Sequence, residues 1–272
     1  MRVHLQWQIL RHFSTGRRYG FSYGDVVKEF PDRNPAYLAR LLGSMVDAGI
    51  LCRITRNIYH IVPMNVDPKA YVPDGLQVAK YMMVHKEYYI GYSSAMKIHG
   101  LFIKPENRVY VLTREQMTPA LRSCRGISVR FIKLKAYRFF GFSIMWINQM
   151  EQAMVSDLEK TIVDLLTRPG LGGGILRVGK AIYKAEARIN HEKLFYYFAR
   201  YRSKAAKKRF LFLSEQLGLE WTDEHERMMR GLGPSISLLD PSEPDQGECR
   251  YKYGLKINID PAYLKKEILR NK

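Results

Sequence analysis

The sequence predicts an α+β fold in two parts: a winged helix-turn-helix over residues 1–70, then a larger mixed α/β domain over residues 71–272 whose C-terminal half is helical. Three observations predict it. Two capped helical segments and a hairpin follow one another between Ser22 and Val62. A stretch rich in helix breakers, Pro63-Met64-Asn65-Val66-Asp67-Pro68 and then Val72-Pro73-Asp74-Gly75, marks a boundary near residue 70. Beyond it strand-like runs precede helices, the order of an α+β domain.

Leu5, Ile9 and Phe13 repeat every four residues and predict a first helix. The following Gly16-Arg17-Arg18-Tyr19-Gly20 reads equally as a phosphate-reaching loop or a solvated one. Ser22 is an N-cap answered three residues later by Asp25, with Phe21 and Val26 placed as a hydrophobic staple, so a short helix starts at Tyr23. It ends near Phe30 because Pro31 cannot continue the ladder and restricts the residue before it. Asn34-Pro35 starts the next helix with a cap and a proline at the first helical position. Its inward stripe is Leu38, Leu41, Leu42 and Met45, which turns Tyr37, Arg40 and Ser44 outward. Gly49 is a left-handed stop, and runs 50–54 and 58–62 flank Thr55-Arg56-Asn57 as a hairpin.

In the second part, helical patterns fall at 76–85 and 93–99 around an apolar Tyr88-Tyr89-Ile90, and strand patterns at 108–113, 127–133 and 139–147. From Ser156 to Leu217 the reading is helical, in segments near 157–167, 175–188, 191–201 and 204–217. Residues 234–247 read as loop, 251–259 as a last strand, and Pro261 opens a terminal helix.

The 44 Lys/Arg against 26 Asp/Glu give a net charge of +18, which favours a polyanionic partner, nucleic acid before anionic membrane. Residues 1–70 hold ten basic and five acidic side chains, so most of the excess lies beyond them. No apolar run approaches the roughly 20 residues of a membrane span, and the N-terminus lacks a signal-peptide apolar core, so a soluble cytoplasmic protein is expected. Cys52, Cys124 and Cys249 are far apart without a Cys-x-x-Cys pair, which points to a reducing compartment and away from a zinc site.

Glu151, Asp157, Glu159 and Asp164 form the densest central acidic cluster and would suit a metal-dependent nuclease. Ser156-Asp157-Leu158-Glu159, however, reads as a capping box, and Lys160 and Asp164 as an i, i+4 pair. The Asp/Glu-x-Lys order of restriction-type nucleases is not supplied. Leu171-Gly172-Gly173-Gly174 would cradle a phosphate at a helix start, but it lacks a P-loop ending and reads better as a helix stop and tight turn. His99 sits at a helix end where a partly charged imidazole suits the dipole, and His225-Glu226 lacks the second histidine of a zinc-protease motif. Neither histidine has a partner at ligand spacing, and no cofactor or metal is expected. Between Arg177 and Arg209 lie eleven Lys/Arg against Glu186 and Glu192, with aromatics interleaved, which reads as a second nucleic-acid surface.

Three stretches carry a family resemblance: Tyr92-Ser93-Ser94-Ala95-Met96-Lys97-Ile98-His99-Gly100-Leu101, the run from Val155 to Asp164, and Arg168-Pro169-Gly170-Leu171-Gly172-Gly173-Gly174. In order and spacing they resemble the abortive-infection antitoxins called AbiEi. The wing turn departs from many relatives in carrying Arg56-Asn57 where they carry Arg-Gly, and asparagine still accepts the left-handed turn. The resemblance implies a type IV antitoxin of phage defence that represses its own operon. It also implies that residues 71–272 counter a nucleotidyltransferase-like toxin without a stable complex between the two. It implies no catalytic activity.

On this reading Tyr37 and Arg40 reach base edges in the major groove of operator DNA, with Arg33, Asn34 and Ser44 beside them. Arg53, Arg56 and Asn57 of the wing hold phosphate or enter the minor groove. Lys204, Lys207, Lys208 and Arg209 extend the footprint along the backbone. Two other classes stay open: a metal-dependent nuclease using the central carboxylates, and a ligand-sensing transcriptional regulator with no toxin partner.

Overall fold

The computed structural model describes residues 4–15, 19–102 and 107–270. The chain opens with α1 (Leu5–Thr15), β1 (Gly20–Ser22), α2 (Tyr23–Glu29), α3 (Pro35–Asp47), β2 (Leu51–Thr55) and β3 (Ile58–Ile61). Local chemistry sets these bounds. Ser22 Oγ accepts from Asp25 N at 3.0 Å while the Asp25 carboxylate accepts from Ser22 N at 2.7 Å, a closed capping box. Asn34 Oδ1 accepts from Ala36 N and Tyr37 N, at 2.8 and 3.3 Å, ahead of Pro35. Gly49 ends α3 with φ 73° and Asn57 turns the hairpin with φ 66°.

The three strands order β1-β3-β2, all antiparallel, with Phe21 opposite Tyr59 and Cys52 opposite His60. Their inner face and the helices close one apolar core from Ile9, Leu10, Phe13, Phe21, Val26, Leu38, Leu42, Met45, Leu51, Tyr59 and Ile61. Burial of this set excludes apolar surface from water, the dominant favourable term in folding. Strand β1 departs from the expected loop. Gly20 pairs with His60, and a Cβ there would meet the Tyr81 ring at 2.4 Å, so only glycine lets the strand pass that ring. Residues 16–18 of the loop read equally as phosphate-reaching or solvated lie outside the described residues.

The rest of the chain runs α4 (Gly75–Met82), β4 (Tyr88–Ile90), α5 (Tyr92–Ile98), β5 (Arg108–Thr113), β6 (Leu121–Cys124), β7 (Ile127–Lys133), β8 (Phe142–Trp146) and β9 (Gln152–Ser156). It continues through α6 (Leu158–Thr167), α7 (Ile175–Ala185), α8 (His191–Tyr201), α9 (Lys204–Leu217) and α10 (Asp223–Arg230). Strands β10 (Ser237–Leu238), β11 (Glu248–Arg250) and β12 (Leu255–Ile257) and helix α11 (Pro261–Leu269) complete it. Six strands order β6-β7-β5-β4-β9-β8, and a small sheet orders β10-β12-β11. The architecture is mixed helix and sheet, an α+β fold.

Two compact units divide the chain, and the division differs from a single cut at residue 70. One comprises Met1–Tyr88, Glu106–Ile132 and Ile144–Ala153; the other comprises Tyr89–Pro105, Lys133–Ser143 and Met154–Lys272. The reason is visible in α4. Gly75 packs on Val109 and Ile127, while Gln77, Lys80 and Tyr81 all donate at 2.8 Å to the buried Glu151 carboxylate. Segments distant in sequence thereby join the first unit.

The second unit is built around α6, in which every residue from Glu159 to Leu166 is buried. Its cap is Asp157, whose Oδ1 accepts from Lys160 N at 2.8 Å, one residue later than the Ser156 box expected from sequence. The Ser156 hydroxyl instead lies 2.8 Å from that of Thr161. Lys160 and Asp164 pair at 2.5 Å with both side chains fully buried, and Tyr89 OH bridges them at 2.7 Å from Lys160 Nζ and 3.0 Å from Asp164 Oδ2. The aromatic rings of Tyr89, Phe140 and Tyr201 surround the ammonium. A buried pair of this kind persists only with its remaining hydrogen-bonding groups satisfied.

Candidate nucleic-acid interface

Helix α3 turns a polar face to solvent because Leu38, Leu42 and Met45, all at 0% exposure, face the core. Opposite them Tyr37 is 46% exposed, and Arg40 and Ser44 are exposed, at i, i+3 and i+7 on one side of the helix. Ser44 Oγ donates to Leu41 O at 2.8 Å, leaving its lone pairs outward. Arg33 and Asn34 are exposed at the entrance to α3, though Asn34 Oδ1 is already committed to the cap. Across the hairpin Arg53, Arg56 and Asn57 are exposed, and Arg53 lies over the Tyr59 ring at 5.8 Å.

One residue ties the two parts of this face together. Tyr23 N donates to Asn57 O at 2.8 Å, and Tyr23 OH donates to Pro35 O at 2.9 Å. The hairpin turn and the first residue of α3 are thus held by the backbone and side chain of one tyrosine. Sequence reading placed Tyr23 only as a helix start; nothing local signals its second role. Among the described residues Arg33, Arg40, Arg53 and Arg56 form no ion pair, so their charge is available to an external anion.

The basic run of the second unit behaves differently. Lys208 is 0% exposed and its ammonium donates to Ser235 O and, at 3.2 Å, to Ser235 Oγ. Arg209 is 3% exposed. Its guanidinium spans Leu238 O at 2.8 Å, Leu239 O at 3.0 Å, and Leu166 O and Thr167 O of the α6 C-terminus at 2.7 and 3.4 Å. Burial pulls its pKa down to about 10. Neither side chain reaches the surface, which removes both from the expected DNA footprint. The helix terminus and strand edge they satisfy would otherwise leave buried carbonyls without donors.

Other members of the run are also engaged. Lys193 pairs with Asp157 at 3.1 Å and Glu159 at 2.9 Å, Arg188 donates to His99 O at 3.1 Å, and Arg177 and Arg200 stack on Phe102 and Phe140 at 3.7 and 4.0 Å. Lys204 is exposed, and Lys207 is half-buried with its pKa lowered by desolvation.

The central carboxylates are held internally. Glu151 accepts from three side chains, Glu159 accepts from Asn190 N at 2.9 Å, and Asp157 accepts from Tyr197 OH at 2.8 Å. Among the described residues no group of three or more His, Cys, Asp or Glu is arranged to hold a metal ion.

The glycine-rich turn gives α7 an N-terminus whose anion is built in. Gly173 and Gly174 have φ 88° and 92°, and the buried Asp240 carboxylate accepts from Ile175 N at 2.6 Å, where a phosphate would otherwise sit. His99 departs from the expected partial charge. Desolvation lowers its pKa and outweighs the hydrogen bond that its Nε2–H donates to Ser156 O at 2.8 Å, so the neutral ring is favoured. His225 closes a capping box on Thr222, with Nδ1 accepting from Thr222 N at 3.2 Å, and stacks on Phe210 and Trp221. Among the described residues no helix is long and apolar enough to cross a membrane.

No family model and no curated protein matches the chain. The fold has a solved counterpart. The crystal structure of the RV2827C protein from Mycobacterium tuberculosis aligns over 96% of this chain and 92% of that one, with a TM-score of 0.65 at 14% identity. Similarity at that identity is similarity of fold, and it extends through both compact units.

Proposed function

We propose that this chain is a non-enzymatic, DNA-binding antitoxin. On this reading it represses its own operon through the N-terminal winged helix-turn-helix and counters a nucleotidyltransferase-like toxin without forming a stable complex. The DNA-binding half rests on one observation above all: Tyr23 holds the α3 entrance and the hairpin turn together, so two sets of exposed, unpaired cations belong to one face. Arg40 and Tyr37 then read base edges, while Arg33, Arg53 and Arg56 position the module on phosphate. The antitoxin half rests on the resemblance of residues 92–101, 155–164 and 168–174 to AbiEi.

Arg40→Ala tests the first half. If Arg40 contacts a guanine bidentately, affinity for the chain's own upstream region falls by about 1–3 kcal/mol and discrimination relaxes at one base pair. Equal loss on operator and random DNA would reject the base contact. Co-expression of the full chain with the product of the adjacent reading frame tests the second half, and unrelieved toxicity there rejects it.

A ligand-sensing regulator has one observation in its favour. A groove of about 1140 Å³ in the first unit is lined by Trp7, Leu10, Arg11, Ile50, Val62 and Met64, among others, and a metabolite-dependent thermal shift would support that reading.

A further inference from the structure

The three cysteines are widely spaced in sequence, yet the fold brings two of them together. Cys52 lies in β2 and Cys124 ends β6, 72 positions later. Within the first unit, Cys52 Sγ is 4.0 Å and Cys124 Sγ 3.7 Å from the same Arg53 carbonyl oxygen, so the two thiols converge on one backbone group. We propose that Cys52 and Cys124 form one redox-modification site, which a peroxide oxidises to an intramolecular disulfide fastening the β2–β3 hairpin to the β6–β7 turn.

The surroundings are built for a pair. Arg125 and Gly126 make the two-residue turn after Cys124 with φ 43° and 83°, and pair Cys124 with Ile127. Arg125 Nη1 donates to Pro68 O at 2.7 Å and Tyr71 O at 2.9 Å, anchoring the turn beside the hairpin. On the other side Cys52 faces His60 across the strand, whose Nδ1 lies 3.3 Å from Tyr71 OH. Both thiol-bearing segments are therefore tied to Tyr71.

The pair is also electronically unequal, which marks Cys52 as the thiol that meets the oxidant first. The hydrogen bond from Cys124 outweighs desolvation and, with the nearby Arg125 charge, brings the Cys52 thiol down to about 7. The same hydrogen bond, followed by burial, pushes the Cys124 thiol up. Both residues are buried, at 0% and 6% exposure, but the β2–β3 register breaks between Arg53 and Thr55, next to Cys52. Local opening at an interrupted ladder end admits a small oxidant.

The chemistry closes. Cys52 thiolate attacks one peroxide oxygen, the O–O bond breaks, and the Cys52 sulfenic acid and hydroxide form. Cys124 sulfur then attacks the Cys52 sulfur, the S–S bond forms, the S–O bond breaks, and hydroxide leaves with the Cys124 proton as water. The two thiols together lose two electrons and two protons to one peroxide, giving one disulfide and two waters.

The test uses the full chain carrying Cys249→Ser, which leaves only the pair. After limited hydrogen peroxide the protein should form no intermolecular crosslink, lose the mass of two hydrogens and lose both alkylatable thiols under denaturing conditions. Dithiothreitol should restore both, and the oxidised form should melt at a higher temperature than the reduced one because the crosslink closes a long loop. Peptide mapping should join the Cys52 and Cys124 peptides. Thiols that stay alkylatable, oxygen addition without a crosslink, or disulfide-linked dimers would each overturn the assignment. None of these readouts involves DNA, so their failure leaves the DNA-binding reading where it stands.

Discussion

Replacing Arg209 by alanine separates a structural cation from a DNA-binding one. The side chain is 3% exposed and makes five hydrogen bonds to four backbone carbonyls, two at the end of α6 and two along residues 238–239. A hydrogen bond to a charged group contributes about 1.5–3 kcal/mol net, and each buried acceptor left bare costs about 1–3 kcal/mol. These terms share one group and are not additive, so the expected loss is about 3–5 kcal/mol, at the high end for a point mutation. With a pKa of about 10 the guanidinium stays charged at neutral pH, so protonation does not complicate the comparison. Arg209→Lys should recover less than half, because an ammonium cannot span helix end and strand at once. The assay is guanidinium denaturation followed by circular dichroism, run beside a salt titration of DNA binding. A wild-type denaturation midpoint together with a flattened salt dependence would refute the structural role and return Arg209 to the DNA surface.

The buried pair and three desolvated histidines make two further predictions. Lys160→Met strands the fully buried Asp164 carboxylate with Tyr89 as its remaining bridge partner and should cost about 3–5 kcal/mol, whereas Lys160→Met with Asp164→Leu should recover most of it; equal destabilisation of single and double variants in denaturant would rule this out. His99 has its pKa lowered from the ordinary value of 6.5 by burial, so below that value the unfolded chain binds the proton first and the fold loses stability as pH falls, by at most about 1.4 kcal/mol per pH unit. His60 and His225 share the sign. His99→Gln should reduce the slope of denaturation midpoint against pH between about 6.5 and 5, and an unchanged slope would show that His99 is not responsible.

How much of this was legible in the sequence depended on where the determining interactions lie. Helices α2 and α3 start and stop where their caps and prolines say, because a capping box, an Asn-Pro start and a left-handed glycine act within a few residues. Strands β1, β6, β9, β10 and β11 were missed. Of these, β1 and β9 acquire strand geometry from β3 and β4, far along the chain, β6 pairs with β7 across an Arg125-Gly126 turn that was not read, and the two- and three-residue β10 and β11 pair with β12. Helix α10 was missed as well, its His225 being read only against a metal motif while the fold uses it to cap. The α9 cations failed for another reason. A charge run reads as a surface when counted along the chain, but α9 is buried over residues 208–214, and Lys208 and Arg209 fall where neighbouring carbonyls needed donors.

That partition of charge sets a quantitative expectation for DNA binding. A net charge of +18 spread over the surface would suggest a steep salt dependence. Yet Lys160, Lys208 and Arg209 are buried, and Lys193 is paired with Asp157 and Glu159. On the proposed reading, the face joined by Tyr23 offers Arg33, Arg53 and Arg56 to phosphate and reserves Arg40 for a base. At about 0.9 counterion per phosphate neutralised, log K against log salt for the operator should have a slope near −3. Arg56→Ala should make it shallower by about one and weaken operator and random DNA alike, because a phosphate contact carries no sequence information. A slope steeper than about −5, unmoved by Arg56→Ala, would mean that cations beyond this module carry the affinity and that the hairpin is not the phosphate clamp.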